Sequence, residues 1–324
     1  MWICEFCSEV YDCLDGIDHN NEGFWCDSCD CWNYYDVIRN QRDRFKLILE
    51  EKCQTVPKIP RKVKSLFKKN LSPLRYPGGK SKMIDYLYSY LQQNKCKTLY
   101  SAFSGGASFE LAMLESNVVE RLVLNDLDYG IFGLWWTIFN VPDELVARIQ
   151  THTPTHQDYF KAQRYIKTDF RGLDCVEAAW ATLLVNRLAY SGISKANPLG
   201  GKNGDTIDLL ARWNPSKLIE RIRHISSMAD KIEIYCSDAC EFIEEVYWDT
   251  DSTLFIDPPY VAKGKDLYPL YYTKKDHQHL AFVLDNLYKG MPGADIIVTY
   301  DHHEIITNAF EYPDCEILNR TYSI

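Results

Sequence analysis

Thr253-Leu-Phe-Ile-Asp257-Pro258-Pro259-Tyr260 is the stretch from which the fold of this chain is read. Leu254 to Ile256 are three consecutive apolar residues, which predicts a short strand buried on both faces of a parallel sheet. The two prolines that follow have no backbone N–H, so the chain has to leave the sheet there. A carboxylate and an aromatic ring therefore stand at the carboxyl end of a strand, where open α/β sheets bind ligands. The carbonyl of Pro258 stays free to accept a hydrogen bond. A carboxylate, a carbonyl and an aromatic platform together suit a planar ring that carries an amino group.

Upstream, the pattern repeats. Thr98-Leu-Tyr-Ser-Ala-Phe103-Ser-Gly105-Gly106-Ala-Ser108 reads as a strand entering a glycine turn, followed by a helix over Phe109 to Leu114. About twenty residues later Leu122-Val-Leu-Asn-Asp126 reads as a second strand ending in acid. That is a Rossmann arrangement, with glycines for the tight turn and Asp126 for ribose hydroxyls. The glycines do not follow G-x-G-x-x-G, which disfavours a nicotinamide cofactor. A third strand, Ile232 to Cys236, ends at Ser237-Asp238, and Asp295 to Tyr300 reads as a fifth. Leu74-Arg75-Tyr76-Pro77-Gly78-Gly79-Lys80 precedes an amphipathic helix from Met83 to Leu91. Its glycines let the backbone approach a ligand, and a helix N-terminus favours the ligand's anionic end.

The 324 residues suffice for one large α/β domain and a small appendage. No run of about 18 uncharged apolar residues occurs, nor a signal-peptide pattern at Met-Trp-Ile-Cys-Glu, so the chain is expected to be cytoplasmic, with no membrane partner. The net charge of −9 is unevenly placed. Lys58 to Lys82 holds nine Lys/Arg and no acid, leaving 27 of the 36 Lys/Arg against all 45 Asp/Glu elsewhere. One basic contact surface on an acidic body follows from that asymmetry, unless the run is a solvated linker.

Six of the twelve cysteines fall within the first 31 residues. Cys4-Glu-Phe-Cys7 and Cys26-Asp-Ser-Cys29, eighteen residues apart, have the spacing of a zinc ribbon in which four thiolates hold one structural Zn²⁺. Cys13, His19 and Cys31 remain possible substitutes for one ligand. Gly23-Phe24-Trp25 is expected to be the strand carrying the second knuckle, and the metal would supply the stability a module of this size lacks. Tyr35 to Cys53 has helical spacing, with Val37, Ile38, Phe45, Ile48 and Leu49 near one face. Gln54-Thr-Val-Pro-Lys-Ile-Pro60 breaks it, and a domain boundary is placed there.

Taken in order, Arg75-Tyr-Pro-Gly-Gly-Lys80, Phe103-Ser-Gly-Gly106, Asn125-Asp126, Asn186-Arg187, Ser237-Asp238 and Asp257-Pro-Pro-Tyr260 resemble the Dam-type (α-group) DNA adenine-N6 methyltransferases across residues 71 to 324. The resemblance implies a Rossmann-like S-adenosylmethionine-dependent methyltransferase sheet at 71–128 and 231–324. It also implies a helical target-recognition insert at 129–230, with the ribbon at 1–35 and a helix and basic linker at 36–70. It implies methyl transfer from S-adenosylmethionine to N6 of an adenine flipped out of double-stranded DNA, by a protein monomeric in solution. Asp257, Pro258, Pro259 and Tyr260 would be the catalytic motif, with Asp257 and the Pro258 carbonyl accepting from the amine and Tyr260 stacking on the base. Tyr76, Lys80 and Phe103 would line the methionine end of the cofactor, beside Gly79, Gly105, Gly106 and Asp257. Asp126 would hold the ribose and Asp238 the cofactor's adenine amino group. Arg75 would contact a base.

Between the second and third strands lie about one hundred residues, more than a crossover needs. Helices are expected over Glu144–Ile149, Asp158–Ile166 and Val176–Tyr190, with most of their aromatics in a local core. Asn186-Arg187-Leu-Ala-Tyr190-Ser-Gly192 is similar to the family's Asn-Arg-x-x-Tyr/Phe-x-Gly signature. Tyr190 would then stack near the extruded base, and Arg187 would meet a phosphate or guanine edge or else sit in an internal salt bridge. After Gly192 the chain lacks the Phe-Asn-x-Pro-x-Gly run of the GATC-methylating members. Ile193 to Lys202 is expected to be a mobile loop that orders on DNA. Cys315 to Ile324 is expected to be a last strand that stops, without the family's closing antiparallel strand, leaving an inner edge near the fifth strand unpaired. Two neighbouring chemistries remain: RNA adenine methylation, and glutamine amide methylation, against which Asp257 in place of Asn argues. A non-catalytic zinc-ribbon DNA-binding protein on the same fold is the third alternative.

Overall fold

Four short strands come first in the computed structural model: β1 (Trp2–Ile3) pairs antiparallel with β2 (Val10–Tyr11), and β3 (Gly23–Cys26) with β4 (Cys31–Tyr34). Only the backbone of these four is described; beyond them the structure describes residues 44–52, 67–68, 70–76, 78–91, 96–262, 264–290 and 292–320. The strand expected at Gly23 to Trp25 is present as β3. Of the expected zinc ligands, Cys4, Cys7 and Cys29 lie outside the described residues, and of Cys26 only the backbone is described. Lys58, Arg61, Lys62, Lys64 and Lys69, five of the nine cations of the basic run, lie outside them too.

Seven strands then form one sheet. They are β5 (Phe45–Lys52), β6 (Thr98–Ser101), β7 (Arg121–Asn125), β8 (Ile232–Tyr235), β9 (Ser252–Ile256), β10 (Asp295–Asp301) and β11 (Asp314–Arg320). Their spatial order is β11-β5-β10-β9-β6-β7-β8, and all six neighbouring pairs are parallel. Every residue of β9 is buried, as a three-residue apolar run in a sheet covered on both faces requires. Leu99, Leu122, Leu124, Phe255 and Ile297 pack with the helices Ile84–Leu91, Ser108–Glu115 and Tyr129–Asn140 on one face. Leu254, Ile256, Ile296 and Val298 pack with Ala239–Val246 and Lys274–Gly290 on the other. The chain runs β6-β7-β8 outward in one direction and β9-β10 in the other. A crevice is thereby left at the carboxyl ends of β6 and β9.

Two expectations are corrected here. Phe45–Lys52 is a strand and not part of a helix. Phe45, Leu47 and Leu49 face one layer of the core and Ile48 the other. An interior parallel strand is apolar on both sides, so its sequence loses the alternation that distinguishes a strand from a helix. The edge expected beside the fifth strand is also absent: β5 pairs along β10, and β11 pairs along β5, in parallel rather than as a hairpin. The sheet therefore draws its sixth strand from the chain upstream of the boundary placed at Gln54–Pro60.

Within the insert, two of the three expected helices are longer than read, at Pro142–Thr151 and His156–Lys167, and the third spans Cys175–Leu188, ending two residues before the expected Tyr190. Tyr129–Asn140 and Pro215–Ser226 are added to them. Trp135 and Tyr159 are fully buried core residues, as expected. Among the described residues no helix is long and apolar enough to cross a membrane.

Candidate active site

Six loops meet at the carboxyl edge of the sheet and enclose a cavity of about 340 Å³, within the range of small-molecule sites. Tyr76, Gly79, Lys80, Phe103, Gly105, Gly106, Asp126, Asp238, Asp257 and Pro259 all line it. Pro258 and Tyr260 are not part of its wall. Residues more than 180 positions apart in sequence are thus brought into one crevice by strand order alone.

The glycine turn after β6 is shaped by Tyr76. Gly105 has φ +44°, and a Cβ there would stand 2.8 Å from the Tyr76 ring. A side chain is therefore excluded twice, by conformation and by space. The N–H of Gly105 donates to Asp126 Oδ2 at 2.8 Å, and that of Asp128 to Oδ1 at 3.0 Å. Burial, with Asp128 nearby, pushes the Asp126 carboxyl up to about 7 against these hydrogen bonds. Asp238 caps the helix Ala239–Val246, accepting from the N–H of Cys240 at 2.8 Å. The acids after β7 and β8 thus have helix-capping or turn-holding work and still face the cavity.

Asp257 follows β9. Its Oδ1 accepts from Lys80 Nζ at 2.7 Å and from the Thr299 hydroxyl at 2.8 Å. Among the described residues no hydrogen bond falls on Oδ2. Burial raises the Asp257 pKa; the Lys80 charge opposes this and Glu50 adds to it. Lys80 is itself 3 % exposed and lies between two carboxylates, with Glu50 Oε1 at 2.9 Å. Burial works against its charge, but Asp257 and Glu50 together raise its pKa above the ordinary lysine value. Tyr260 is buried; its hydroxyl donates to Glu50 Oε1 at 3.2 Å and accepts from Lys80 Nζ at 3.0 Å. Its loop is pinned by Asp301, which accepts from the N–H groups of Val261 and Ala262, both at 2.9 Å.

Glu50, Thr299, Asp301 and Tyr268 are site residues that the sequence reading missed. Tyr268 stacks on Tyr76 with ring centroids 5.7 Å apart over the same crevice. Thr299 had a signal, a single polar residue inside the apolar run Ile296-Ile-Val-Thr-Tyr300. Glu50 had none once its segment was read as helix.

On the insert side, Asn186 clamps the turn that carries Arg75. Its Oδ1 accepts from the Arg75 N–H at 2.7 Å, and its Nδ2 donates to the Arg75 carbonyl at 3.1 Å. Gly192, at φ +75°, lets the same carbonyl approach; a Cβ there would meet it at 2.3 Å. Part of the Asn-Arg-x-x-Tyr-x-Gly pattern is therefore a joint between the insert and the loop before Lys80. Arg187 is 8 % exposed, its Nε has no hydrogen-bond partner, and among the described residues it makes no ion pair. The internal salt bridge is thus not found. Burial and the neighbouring Arg221, Arg75 and Arg212 push Arg187 down to about 10. Tyr190 is 59 % exposed.

Within Ile193 to Lys202, expected as a mobile loop, residues 194 to 196 are tied to neighbouring elements. The Tyr159 hydroxyl donates to the Ala196 carbonyl at 2.7 Å, and Gln163 Nε2 donates to the carbonyls of Ser194 and Ala196 at 2.9 and 3.0 Å. Lys195 reaches across to the carbonyls of Lys265 and Tyr268 at 2.7 and 2.8 Å. Every one of these bonds ends on a backbone carbonyl, a partner that composition does not reveal.

The family described as D12 class N6 adenine-specific DNA methyltransferase matches residues 76–323. Among curated proteins, the type II methyltransferase M.MjaIII of Methanocaldococcus jannaschii is 21 % identical over 218 residues, covering 63 % of this chain and 73 % of its own. The type II methyltransferase M.CviBI of Paramecium bursaria Chlorella virus NC1A is 22 % identical over 209 residues, 64 % of this chain and 76 % of its own. The DNA adenine methylase of Salmonella typhi is 23 % identical over 226 residues, 68 % and 77 % respectively.

Proposed function

We propose, for a chain that belongs to the D12 class N6 adenine-specific DNA methyltransferase family, that it moves a methyl group from S-adenosylmethionine to N6 of an adenine rotated out of double-stranded DNA. The reading rests on one observation. The Asp257 carboxylate, held on Oδ1 by Lys80 and Thr299, stands in the wall of a cavity that also contains Asp126 and Asp238.

The donor set fits the cofactor: two acids for hydroxyl and amino groups, two glycines for close approach, and aromatic rings for an apolar end. When bound, S-adenosylmethionine supplies a methyl group on a positively charged sulfur. Asp126 takes the ribose hydroxyls and Asp238 the cofactor's adenine amino group. Tyr76, Phe103 and Lys80 border the methionine end, beside Gly79, Gly105 and Gly106. Asp257 through Oδ2, and the Pro258 carbonyl, accept the two N–H bonds of the target amine. Asp257 would thereby leave lone-pair density on N6 open to the methyl group, whose bond to sulfur breaks to leave a neutral thioether, and would stabilise the positive charge on the nitrogen until its extra proton passes to solvent. No covalent enzyme intermediate is required.

Unstacking the base costs a few kcal/mol, offset by contacts from the insert. Tyr190 stacks near the base, a reading its exposure supports, while Arg75 and the cationic group around Arg187 suit phosphates or a guanine edge. Residues 1–35 bind one structural Zn²⁺ through Cys4, Cys7, Cys26 and Cys29, a reading supported by the C-x2-C spacing and by the two short hairpin-like pairings there.

The test is incubation of the purified chain with methyl-labelled S-adenosylmethionine and duplex DNA, RNA or protein, followed by nucleoside analysis. N6-methyladenine in DNA is the expected product. Label in RNA or protein only, or none at all, overturns the reading.

A further inference from the structure

Glu50 lies upstream of Tyr76, where the family match begins, and no motif points to it. Yet its side chain is fully buried, 2.9 Å from Lys80, which lines the cavity. On β5 it is level with Asp301 of β10, at the carboxyl edge of the sheet. These two acids grip the Asp257–Tyr260 loop from one side. Asp301 holds the backbone N–H groups that follow Tyr260, and Glu50 holds the Tyr260 hydroxyl and the Lys80 ammonium. Lys80 in turn donates to Asp257 Oδ1.

An interior strand position is ordinarily filled by an apolar residue. A buried carboxylate there carries a desolvation penalty that an ion pair repays only in part, so packing alone does not account for it. We infer that Glu50 is a positioning residue for methyl transfer, fixing Lys80 and Tyr260 so that the free oxygen of Asp257 faces the target amine. This inference rests on the reaction proposed above. Glu50 touches neither substrate nor cofactor; it acts through Lys80 and Tyr260. The strand that brings it lies between β10 and β11, so the segment upstream of the matched family region completes the site.

Glu50→Gln keeps the shape of the side chain and removes its charge. Single-turnover methyl transfer should fall roughly ten- to hundredfold, the scale of a sub-ångström to 1 Å misplacement of a reacting group. Dissociation constants for S-adenosylmethionine and for duplex DNA should stay within about threefold of wild type, because the contacts to both remain. Leu47→Ala, on the opposite face of β5, should lower the melting temperature without lowering the rate in the folded protein, which separates positioning from strand stability. If Glu50→Gln does not fold, Tyr260→Phe retains the ring and cuts the hydroxyl tie, and its single-turnover rate should drop severalfold. A folded Glu50→Gln protein with an unchanged rate, a loss confined to cofactor or DNA affinity, or an unchanged Tyr260→Phe rate would each overturn the inference. Wild-type protein that leaves adenine in DNA unmodified removes the underlying reaction, and the role of Glu50 with it. An active wild type with an indifferent Glu50→Gln variant removes the role of Glu50 alone.

Discussion

Removing Asp257 and removing Asp126 should damage the enzyme in different ways. Asp257→Ala deletes the acceptor proposed for the reacting amine. The contact matters most as positive charge develops on N6, and losses of such transition-state contacts are on the order of 10²–10³ in rate, or about 2.7–4 kcal/mol. The variant should still fold. Breaking a buried ion pair costs about 3–5 kcal/mol when a charge is left alone, but Lys80 keeps Glu50 at 2.9 Å, so the loss should fall below that range. Cofactor affinity should change little, since in the proposed mechanism Asp257 serves the amine. Asp126→Ala removes the carboxylate proposed to accept hydrogen bonds from the ribose hydroxyls, worth about 1.5–3 kcal/mol, or roughly a 10- to 150-fold weaker dissociation constant. At saturating S-adenosylmethionine its turnover should partly recover, whereas that of Asp257→Ala should not. Calorimetric titration of cofactor, paired with single-turnover methylation of a DNA library, measures both. Full activity in Asp257→Ala, or identical kinetic signatures for the two variants, would refute the assignment of roles.

Arg187→Met replaces a buried cation that has three arginine neighbours and, among the described residues, no ion pair, so the DNA-free protein should be at least as stable while DNA binding weakens about tenfold or more. A fall in stability of about 3–5 kcal/mol, as for a broken buried ion pair, would contradict this placement. Glu110 is buried beside the Ser101 hydroxyl, and burial pushes its pKa up to about 7 against that hydrogen bond. A carboxyl whose folded pKa exceeds its unfolded one makes the native state hold more protons, so its contribution to stability is lost as pH rises from about 4.3 through 7. Urea midpoints at pH 5 and pH 8 should therefore differ less in Glu110→Gln than in wild type; an equal difference in the two proteins refutes the shift. Metal analysis of the purified chain should find about one Zn²⁺ per molecule, and Cys26→Ser should release it while leaving methyl transfer largely intact. A zinc-free preparation with intact thiols and full stability would rule the ribbon out.

Where an element's chemistry is local, its residues announced it. Leu254 to Ile256, stopped by two prolines, reads as a buried strand because the apolar run is too short for a helix and the two missing donors end its pairing. The acids after β7, β8 and β9 and the glycine turn after β6 were readable for the same reason: each is a strand end followed by a turn, within ten residues of chain. They converge on one cavity as the parallel crossovers require.

What the tertiary structure decided is which distant segments become neighbours. Phe45–Lys52 carries the same residues whether it is helix or strand; its place between β10 and β11, covered on both faces, selects the strand. That choice puts Glu50 210 positions before its partner Tyr260 and beside Lys80. Arg187 reads identically as a partner for a carboxylate or for a phosphate, and only its three cationic neighbours separate the two. Asn186 looked like part of a recognition signature, and the fold made it a clamp on Arg75 across 111 positions. Apolar runs and turn residues encode their conformation through interactions with adjacent residues. A buried charge depends on partners brought to it by the whole sheet, so its meaning is fixed only when that sheet is assembled.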